Sequence, residues 1–201
     1  VVIVDNLGRA GVDQNLAWLK ERHGNRVHPA LEDIRDLHGI EAAFADAKAV
    51  YHLAAQTAVT TSLVHPLGDF ETNARGTINV LEAVRKAGRN APVIFASTNK
   101  VYGALEDVEM AETEDRFIPV QAEIRLNGID EGRPLDFCTP YGCSKGVADQ
   151  YTLDYAKSFG LRTAVLRMSC IYGPRQFGTE DQGWVAHFLI RALSGEPISI
   201  Y

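Results

Sequence analysis

The sequence predicts an α/β protein with a doubly wound parallel sheet, because short apolar segments typical of buried strands alternate with amphipathic helical patterns. This alternation implies right-handed crossovers and helices on both faces of the sheet. Polar residues directly follow several of the predicted strands, and open parallel sheets bind ligands at those carboxyl ends. No internal repeat or low-complexity tract indicates a solenoid.

The composition is that of a globular protein with a sizeable core: of 201 residues, 46% are hydrophobic and 23% charged. A net charge of -6 without a local Lys/Arg cluster argues against a nucleic-acid or anionic-membrane surface. There is no apolar run of about 18 residues and no secretory leader. We therefore expect a cytoplasmic protein.

The cysteines and histidines predict no metal site. Cys138, Cys143 and Cys170 are odd in number and lack Cys-x-x-Cys spacing, which favours reduced thiols packed as small apolar side chains. The six histidines fall at no metal-ligand spacing.

The first part of the chain predicts two strands and two helices. Residues 1–4 are a short buried-strand pattern, and residues 26–29 an edge strand. Residues 15–22 predict a helix, and Asp36 is placed to cap a second helix over 37–47.

Asp5 directly follows the first predicted strand. Dinucleotide-binding folds place an acid there for the adenosine ribose hydroxyls, about 20 residues after a glycine-rich loop, and that loop is absent from this sequence. Asp is also common in turns, so the position alone leaves both interpretations open. Because a carboxylate repels a 2′-phosphate, NAD is expected rather than NADP, even with Arg9 nearby.

The middle of the chain predicts a strand and a long helix. Residues 49–53 form a buried-strand pattern that ends in two alanines and Gln56. Small side chains there would let a cofactor approach the backbone, although they equally suit a tight core. Residues 66–86 predict the long helix, with Asn73 on or near its buried side.

The second half continues the alternation. Residues 92–96 are the clearest buried strand, and Thr98 follows at its carboxyl end. Residues 106–133 are rich in charge, Gly and Pro, and such a long excursion is usually functional. Residues 163–168 predict another strand and 184–193 an amphipathic helix.

Tyr141 and Lys145 lie four residues apart, on one face of a helix predicted to start with Thr139 as N-cap and Pro140 as first residue and to end at Gly160. An ammonium one turn from a phenol lowers the phenol pKa from about 10 and makes a usable general base. Such a pair also arises by chance, so it is weak evidence alone.

Five motifs occur in the order expected for one enzyme family: His52-Leu53-Ala54-Ala55, Ser97-Thr98, Val101-Tyr102-Gly103, Tyr141-x-x-x-Lys145 and Tyr172-Gly173-Pro174. Over essentially its whole length the chain resembles the extended short-chain dehydrogenase/reductase family of nucleotide-sugar epimerases and dehydratases. Longer phrases are most similar to the CDP-sugar epimerases of that family, and begin at Ser97, Pro134, Pro140 and Gly178.

The resemblance implies a Rossmann-like fold, NAD as cofactor, and a role for each motif residue. Thr98 would hydrogen-bond the reacting sugar hydroxyl, Tyr141 would remove its proton, and Lys145 would hold the nicotinamide ribose. Along the bound NAD, besides Tyr141 and Lys145, would lie Asp5, Asn6, Asp33, Ile34, Leu53, Ala54, Ala55, Gln56 and Asn73. The substrate would meet Thr98, Asn99, Trp184 and Val185, although a Trp opening an amphipathic helix is more often part of the core.

The implied reaction is epimerisation of a nucleotide-activated sugar, a CDP-sugar in the first place, through transient oxidation to a keto sugar and return of hydride. Dehydratases of the family typically carry Asp-Glu after the Ser/Thr, and Asn99-Lys100 argues against that reaction. Many UDP-sugar epimerases carry Asn at the position of Cys170. A UDP-sugar 4-epimerase and a noncatalytic NAD-binding regulatory module stay open as alternatives, as does a homo-oligomer.

Two regions are expected. Residues 1–167 would form the NAD-binding domain, without its first strand and glycine loop, and 168–201 the beginning of the sugar-nucleotide region, with a strand starting at 197. Because both ends look cut, activity is expected of a longer parent protein.

Overall fold

A computed structural model describes residues 1–200 of the chain. Its strands are β1 (Val2–Val4), β2 (His28–Ala30), β3 (Val50–His52), β4 (Val93–Thr98), β5 (Met110–Glu112), β6 (Phe117–Pro119) and β7 (Thr163–Met168). Its α-helices are α1 (Val12–His23), α2 (Leu37–Phe44), α3 (Val59–Val64), α4 (Pro66–Phe70), α5 (Gly76–Ala87), α6 (Ala122–Asn127), α7 (Thr139–Phe159) and α8 (Trp184–Leu193). Shorter turns are the 3-10 segments Gly24–Arg26 and Asn99–Tyr102 and the π-helical segment Glu71–Arg75.

The strands confirm an α/β fold with parallel pairing. β1 pairs with β2, and β4 lies between β3 and β7, all in parallel. The pair β1–β2 has no ladder to the three-stranded sheet within residues 1–200. The excursion after β4 is not a bare loop, since it contains the antiparallel hairpin β5–β6 and helix α6.

The hydrophobic core lies where α2, α5 and α7 meet β3 and β4. Strand β4 has buried or half-buried side chains along its whole length, as expected for a strand covered on both faces. The core residues include Ile40, Phe44, Val50, Val80, Leu81, Val84, Val93, Tyr155 and Leu161.

The predicted helix boundaries are confirmed in part. Asp36 caps α2 by accepting a hydrogen bond from the His38 N–H. The long helix predicted over 66–86 is interrupted by the π-helical turn, a feature that often marks functional sites. Helix α3 was not predicted, and residues 197–200 form no strand.

Helix α7 carries the predicted Tyr-Lys pair. Its first residue, Thr139, has a φ of 63° and accepts a hydrogen bond from the Gly142 N–H at 3.3 Å through its hydroxyl. Thr139 therefore performs the capping role that the sequence predicts, although the helix is assigned from Thr139 itself. The left-handed Gly160 ends the helix, as predicted.

Cys138, Cys143 and Cys170 are exposed, so the prediction that they pack as buried side chains is wrong. Residues 1–200 contain no group of His, Cys, Asp or Glu arranged to hold a metal ion. Within the same range no helix combines the length and apolarity needed to span a bilayer.

Candidate active site

A cavity of about 320 Å³ opens at the carboxyl ends of β1, β2 and β3. Its walls include seven of the residues that the sequence assigns to the cofactor, namely Asp5, Asn6, Asp33, Ile34, Leu53, Ala54 and Ala55. Gln56 and Asn73, from the same prediction, lie outside its walls in a buried hydrogen-bond network. The strand ends thus bring most of the predicted cofactor residues together.

Asp5 and Asp33 are two of the three acidic residues that line this cavity, with Glu32 as the third. One oxygen of Asp5 accepts the Leu7 N–H at 2.7 Å, and its other oxygen has no hydrogen-bond partner within residues 1–200. Asp33 is saturated by the Arg35 side chain, at 2.7 and 2.9 Å, and by the Asn6 amide at 2.9 Å. The bonds from Arg35 hold the pKa of Asp33 far below its usual value, so Asp33 is ionised.

The residues that line the cavity fit the adenosine end of NAD. Asp5 offers a free carboxylate oxygen at a strand end, which suits a ribose hydroxyl, and the small side chains of Ala54 and Ala55 leave room against the backbone. Arg9 is committed to Gln182 at 3.0 Å and to Thr57 at 3.5 Å. Because ionised Asp33 also lies in the wall, the cavity suits the unmodified ribose of NAD better than the 2′-phosphate of NADP.

Thr98 and Tyr141 meet at the end of β4, since the Thr98 side chain interacts with the Tyr141 phenol and both residues are buried. The Thr98 hydroxyl also accepts the Lys100 N–H at 3.2 Å, which anchors the following 3-10 turn. The backbone N–H of Tyr141 donates to the Ser62 hydroxyl at 3.1 Å, which ties the start of α7 to α3. Strand β4 with its following 3-10 turn, helix α7 and helix α3 therefore keep the Thr98 hydroxyl and the Tyr141 phenol close together.

Lys145 lies one turn beyond Tyr141 and is 3% exposed. Its ammonium donates to the Ala96 carbonyl at 2.6 Å and sits 4.2 Å from the centre of the Phe95 ring. Burial lowers the pKa of Lys145 to about 8, against the opposing effects of Asp149 and Asp69.

The predicted lowering of the Tyr141 pKa is wrong for this arrangement. Burial raises the pKa of the phenol, and Asp69 adds to the rise, while the bond with Thr98 acts in the opposite direction. The ammonium of Lys145 is directed at the Ala96 carbonyl rather than at the phenol. The phenol is accordingly protonated at neutral pH.

A buried ion pair supports the strand end behind Thr98. Arg167 binds Asp149 through two hydrogen bonds of 2.9 Å and donates to the Tyr102 hydroxyl at 2.9 Å. Ser97 donates to the same carboxylate at 2.7 Å. This cluster joins β4, the 3-10 turn, α7 and β7, and thereby holds the residues on either side of Thr98.

The predicted substrate residues are only partly gathered. Asn99 is exposed beside Thr98, whose hydroxyl lies 3.4 Å from the Asn99 side-chain oxygen. Trp184 is 56% exposed and packs edge-on against Phe188, so it is not the core residue that its helical position favours. Val185 follows it at the start of α8 and is half-buried.

Sequence reasoning missed three buried polar residues of this region: His52, Asp69 and Ser144. In the sequence His52 stands out only as part of a motif, and Ser144 occupies one of the unspecified positions between Tyr141 and Lys145. For Asp69 the available signal was its position four residues before Asn73, one helical turn away.

Comparisons with known proteins identify the family to which the chain belongs. The profile of the NAD dependent epimerase/dehydratase family matches residues 1–201. CDP-paratose 2-epimerase of Salmonella typhi is 48% identical over 195 residues, which cover 96% of this chain and 56% of that protein. A putative UDP-glucose 4-epimerase of Methanocaldococcus jannaschii is 32% identical over 206 residues, covering 100% and 57%. The chain thus spans about half the length of the curated relatives it matches.

The fold is also similar to that of solved structures of related enzymes. UDP-glucose 4-epimerase of Thermus thermophilus in complex with NAD has a TM-score of 0.78 at 33% identity and covers 100% of this chain and 57% of its own. The DesIV double mutant of Streptomyces venezuelae, a dTDP-glucose 4,6-dehydratase with NAD and DAU bound, has a TM-score of 0.79 at 27% identity, with 100% and 55% covered.

Proposed function

Because the chain belongs to the NAD dependent epimerase/dehydratase family, we propose that the protein containing it is an NAD-dependent epimerase of a nucleotide-activated sugar. The proposed reaction is the conversion of CDP-paratose to CDP-tyvelose by inversion at carbon 2 of the sugar. The observation that carries this choice is the 48% identity to CDP-paratose 2-epimerase over 96% of the chain. A cytoplasmic location and a homo-oligomeric state complete the proposal as expectations from the sequence.

The chain's own residues would divide the binding and proton transfer. Asp5 would hold the adenosine ribose, and the strand end with Leu53, Ala54 and Ala55 would pass close to the cofactor. Asn6, Ile34 and Asp33 complete that wall. Gln56 and Asn73, which hydrogen-bond each other, would support it from outside the cavity. NAD, when bound, supplies reversible hydride chemistry.

At the reacting centre, Tyr141 would first release its phenolic proton to solvent, and the phenolate oxygen would then accept the proton of the sugar hydroxyl and later return it. Thr98 would orient that hydroxyl, because its own hydroxyl already meets the phenol. The ammonium of Lys145, one helical turn away, would stabilise the phenolate that forms. Asn99, Trp184 and Val185 remain proposed contacts for the sugar nucleotide.

We further propose that residues 1–167 are the cofactor-binding domain and 168–201 belong to the sugar-nucleotide region. The cavity supports the first part, since its walls come from residues 4–72. Helix α8 supports the second part through its exposed Trp184 beside the half-buried Val185.

A UDP-sugar 4-epimerase is the second candidate. It is favoured by the NAD complex of the Thermus thermophilus UDP-glucose 4-epimerase, which covers the whole of this chain at 33% identity. A noncatalytic NAD-binding regulatory module is the candidate of another class, and the buried Thr98–Tyr141 pair argues against it.

Product analysis of the whole protein decides between these candidates. The protein is incubated with NAD and either CDP-paratose or UDP-glucose, and the products are separated by chromatography. We expect kcat/KM to be at least about tenfold higher for CDP-paratose, since specific hydrogen bonds to a substrate discriminate at least that strongly. Preference for UDP-glucose would favour the second candidate, and NAD binding without turnover of either sugar would favour the regulatory module.

Two variants link that activity to the site. Tyr141→Phe removes the proton-accepting oxygen, so turnover should fall at least about 100-fold while NAD still binds. Tyr151→Phe changes an exposed tyrosine of the same helix and should retain the activity.

A further inference from the structure

Asp69 is a buried carboxylate on α4, 2% exposed, that no motif accounts for. One of its oxygens accepts hydrogen bonds from the side-chain amides of Gln56 at 2.9 Å and Asn73 at 3.2 Å. The other accepts the hydroxyl of Ser144. These partners follow β3, lie in the π-helical turn and lie on α7, so Asp69 joins the cofactor side of the site to the helix of the Tyr-Lys pair.

Backbone donors fix the orientation of both amides. The side-chain oxygen of Gln56 accepts the Ala58 N–H, and that of Asn73 accepts the Gln56 N–H at 2.9 Å. Because a backbone N–H can only donate, each amide must turn its NH₂ group toward Asp69. The two oriented amides, together with the Ser144 hydroxyl when it donates to Asp69 rather than to the Tyr141 carbonyl, match the ionised form of the carboxyl group, which only accepts.

We propose that Asp69 is a positioning residue: its carboxylate anchors the first turns of α7 through Ser144 and keeps the buried ammonium of Lys145 charged. This inference rests on the proposed function, in which that ammonium stabilises the Tyr141 phenolate. Burial raises the pKa of Asp69, and the bonds from Ser144 and the Gln56 amide act against that rise.

Two other titratable groups lie near Lys145. Asp149, one turn along α7, raises the pKa of Lys145 more than Asp69 does, and it is itself held in an ion pair by two hydrogen bonds from Arg167. His52 on β3 is uncharged at neutral pH, because burial lowers its pKa to about 3. The remaining charged side chains on the π-helical turn, α5 and the 3-10 turn are ion-paired or exposed: Glu71, Arg75, Glu82, Arg85, Lys86 and Lys100. Asp69 is thus the buried carboxylate without an ion-pair partner that acts on Lys145.

Direct titration of Lys145 tests the proposal in the whole protein. Lysine labelled with ¹³C at Cε is followed by NMR, and the Lys145 signal is assigned by its loss in Lys145→Met. In Asp69→Asn, which keeps the shape but removes the charge, the pKa of Lys145 should fall from about 8 to about 7, because a nearby opposite charge shifts a pKa by at least about 1. At a given pH the ratio of ammonium to amine then drops about tenfold.

Two matched variants separate charge from other effects. Ser144→Ala removes a hydrogen bond but leaves the carboxylate charged, so the pKa of Lys145 should stay near its original value. Asp154→Asn removes one charge from an exposed position of the same helix and should also leave it unchanged. An unchanged Lys145 pKa in Asp69→Asn overturns the proposal.

Turnover gives a second readout. In Asp69→Asn the alkaline limb of the kcat profile should move to lower pH, whereas a purely structural role would lower kcat equally at every pH. If the unaltered protein shows no epimerase activity, the proposed function fails while the NMR titration still decides the role of Asp69. If Asp69→Asn does not fold, ¹³C-carboxyl titration of the unaltered protein decides, because a protonated Asp69 at neutral pH contradicts the proposal.

Discussion

The Thr98 side chain interacts with the phenol of Tyr141, which brings the last residue of β4 next to the first turn of α7. Strand β4 is the centre of the three-stranded sheet, and α7 packs directly on it. The two proposed reacting groups therefore lie on a strand and a helix rather than on a loop, which is what proton transfer between fixed atoms requires.

Removing the Thr98 hydroxyl should lower kcat and move its pH profile. We expect Thr98→Val, which keeps the side-chain shape, to reduce kcat about 100-fold, as is typical when one positioned hydrogen-bond donor is lost. The bond with Thr98 favours the phenolate of Tyr141. Its loss raises the pKa of the Tyr141 phenol. A higher pH is then needed to form the phenolate, so the rise of kcat with pH moves to higher pH. Thr98→Ser, which retains the hydroxyl, should keep both kcat and the profile within a few-fold, and equal losses in the two variants would contradict this role.

Lys145 should make stability depend on alkaline pH. Its pKa in the folded protein is about 8, against 10.5 for the free side chain. Between these values the unfolded chain binds the proton that the folded chain has released, so stability rises with pH. The cost of burying the ammonium, about 3 kcal/mol, is fully present below a pH of about 8 and is gone above a pH of 10.5.

The measurement compares urea unfolding of the unaltered protein and Lys145→Met across that interval. The unaltered protein should gain about 3 kcal/mol relative to the variant as the pH rises from 8 to 10.5. Groups that titrate alike in the two proteins cancel in the difference, and effects of the substitution that do not depend on pH add only a constant offset. A constant difference between the two proteins would show that the ammonium is not buried at such a cost.

His52 should make the fold sensitive to acid. The Thr77 hydroxyl donates to the Asn73 carbonyl at 2.6 Å, so it must accept its second bond, of 2.9 Å, from the Nε2–H of His52. Burial lowers the pKa of this imidazole from 6.5 to about 3, with the Lys145 ammonium adding to the effect. Below the upper value the unfolded chain takes up a proton that the folded chain refuses, so stability falls as the pH falls.

The expected loss is about 5 kcal/mol across that interval, because each unit of pKa difference corresponds to about 1.4 kcal/mol. His52→Gln can retain a donor to Thr77 but does not titrate, so its stability should depend less steeply on acid. The difference between the two proteins, followed by circular dichroism in urea, isolates the histidine from the carboxylates that titrate in the same range. Parallel pH curves would contradict a neutral buried imidazole.

The sequence predicted the parts of the site that depend on local order. Strand ends such as Asp5, and the four-residue spacing of Tyr141 and Lys145, follow from periodicity that the chain itself displays. Asp69 and Ser144 meet across 75 positions of sequence, so no local pattern could place them together. The direction of the Tyr141 pKa failed for the same reason, because burial is set by tertiary packing and outweighs a neighbour one turn away.

Two glycines of α7, one helical turn apart, should respond oppositely to alanine. At Gly146 a Cβ would overlap the ring of Phe137, whereas at Gly142 it would lie 3.5 Å from the Lys100 carbonyl oxygen, an ordinary contact. Gly146→Ala should destabilise the protein by about 1–3 kcal/mol, since overpacking displaces the ring. Gly142→Ala should be neutral or stabilising by up to about 1 kcal/mol, because alanine favours the helix.

Thermal unfolding of both variants checks the pair, and a double variant identifies the cause. Phe137→Ala combined with Gly146→Ala removes the ring that the new methyl group meets, so the added cost of the glycine substitution should disappear in that background. Because Gly146 directly follows Lys145, the disturbed packing at this position should also lower kcat in the single variant. If Gly146→Ala were as well tolerated as Gly142→Ala, Phe137 would not be packed against α7 at this position.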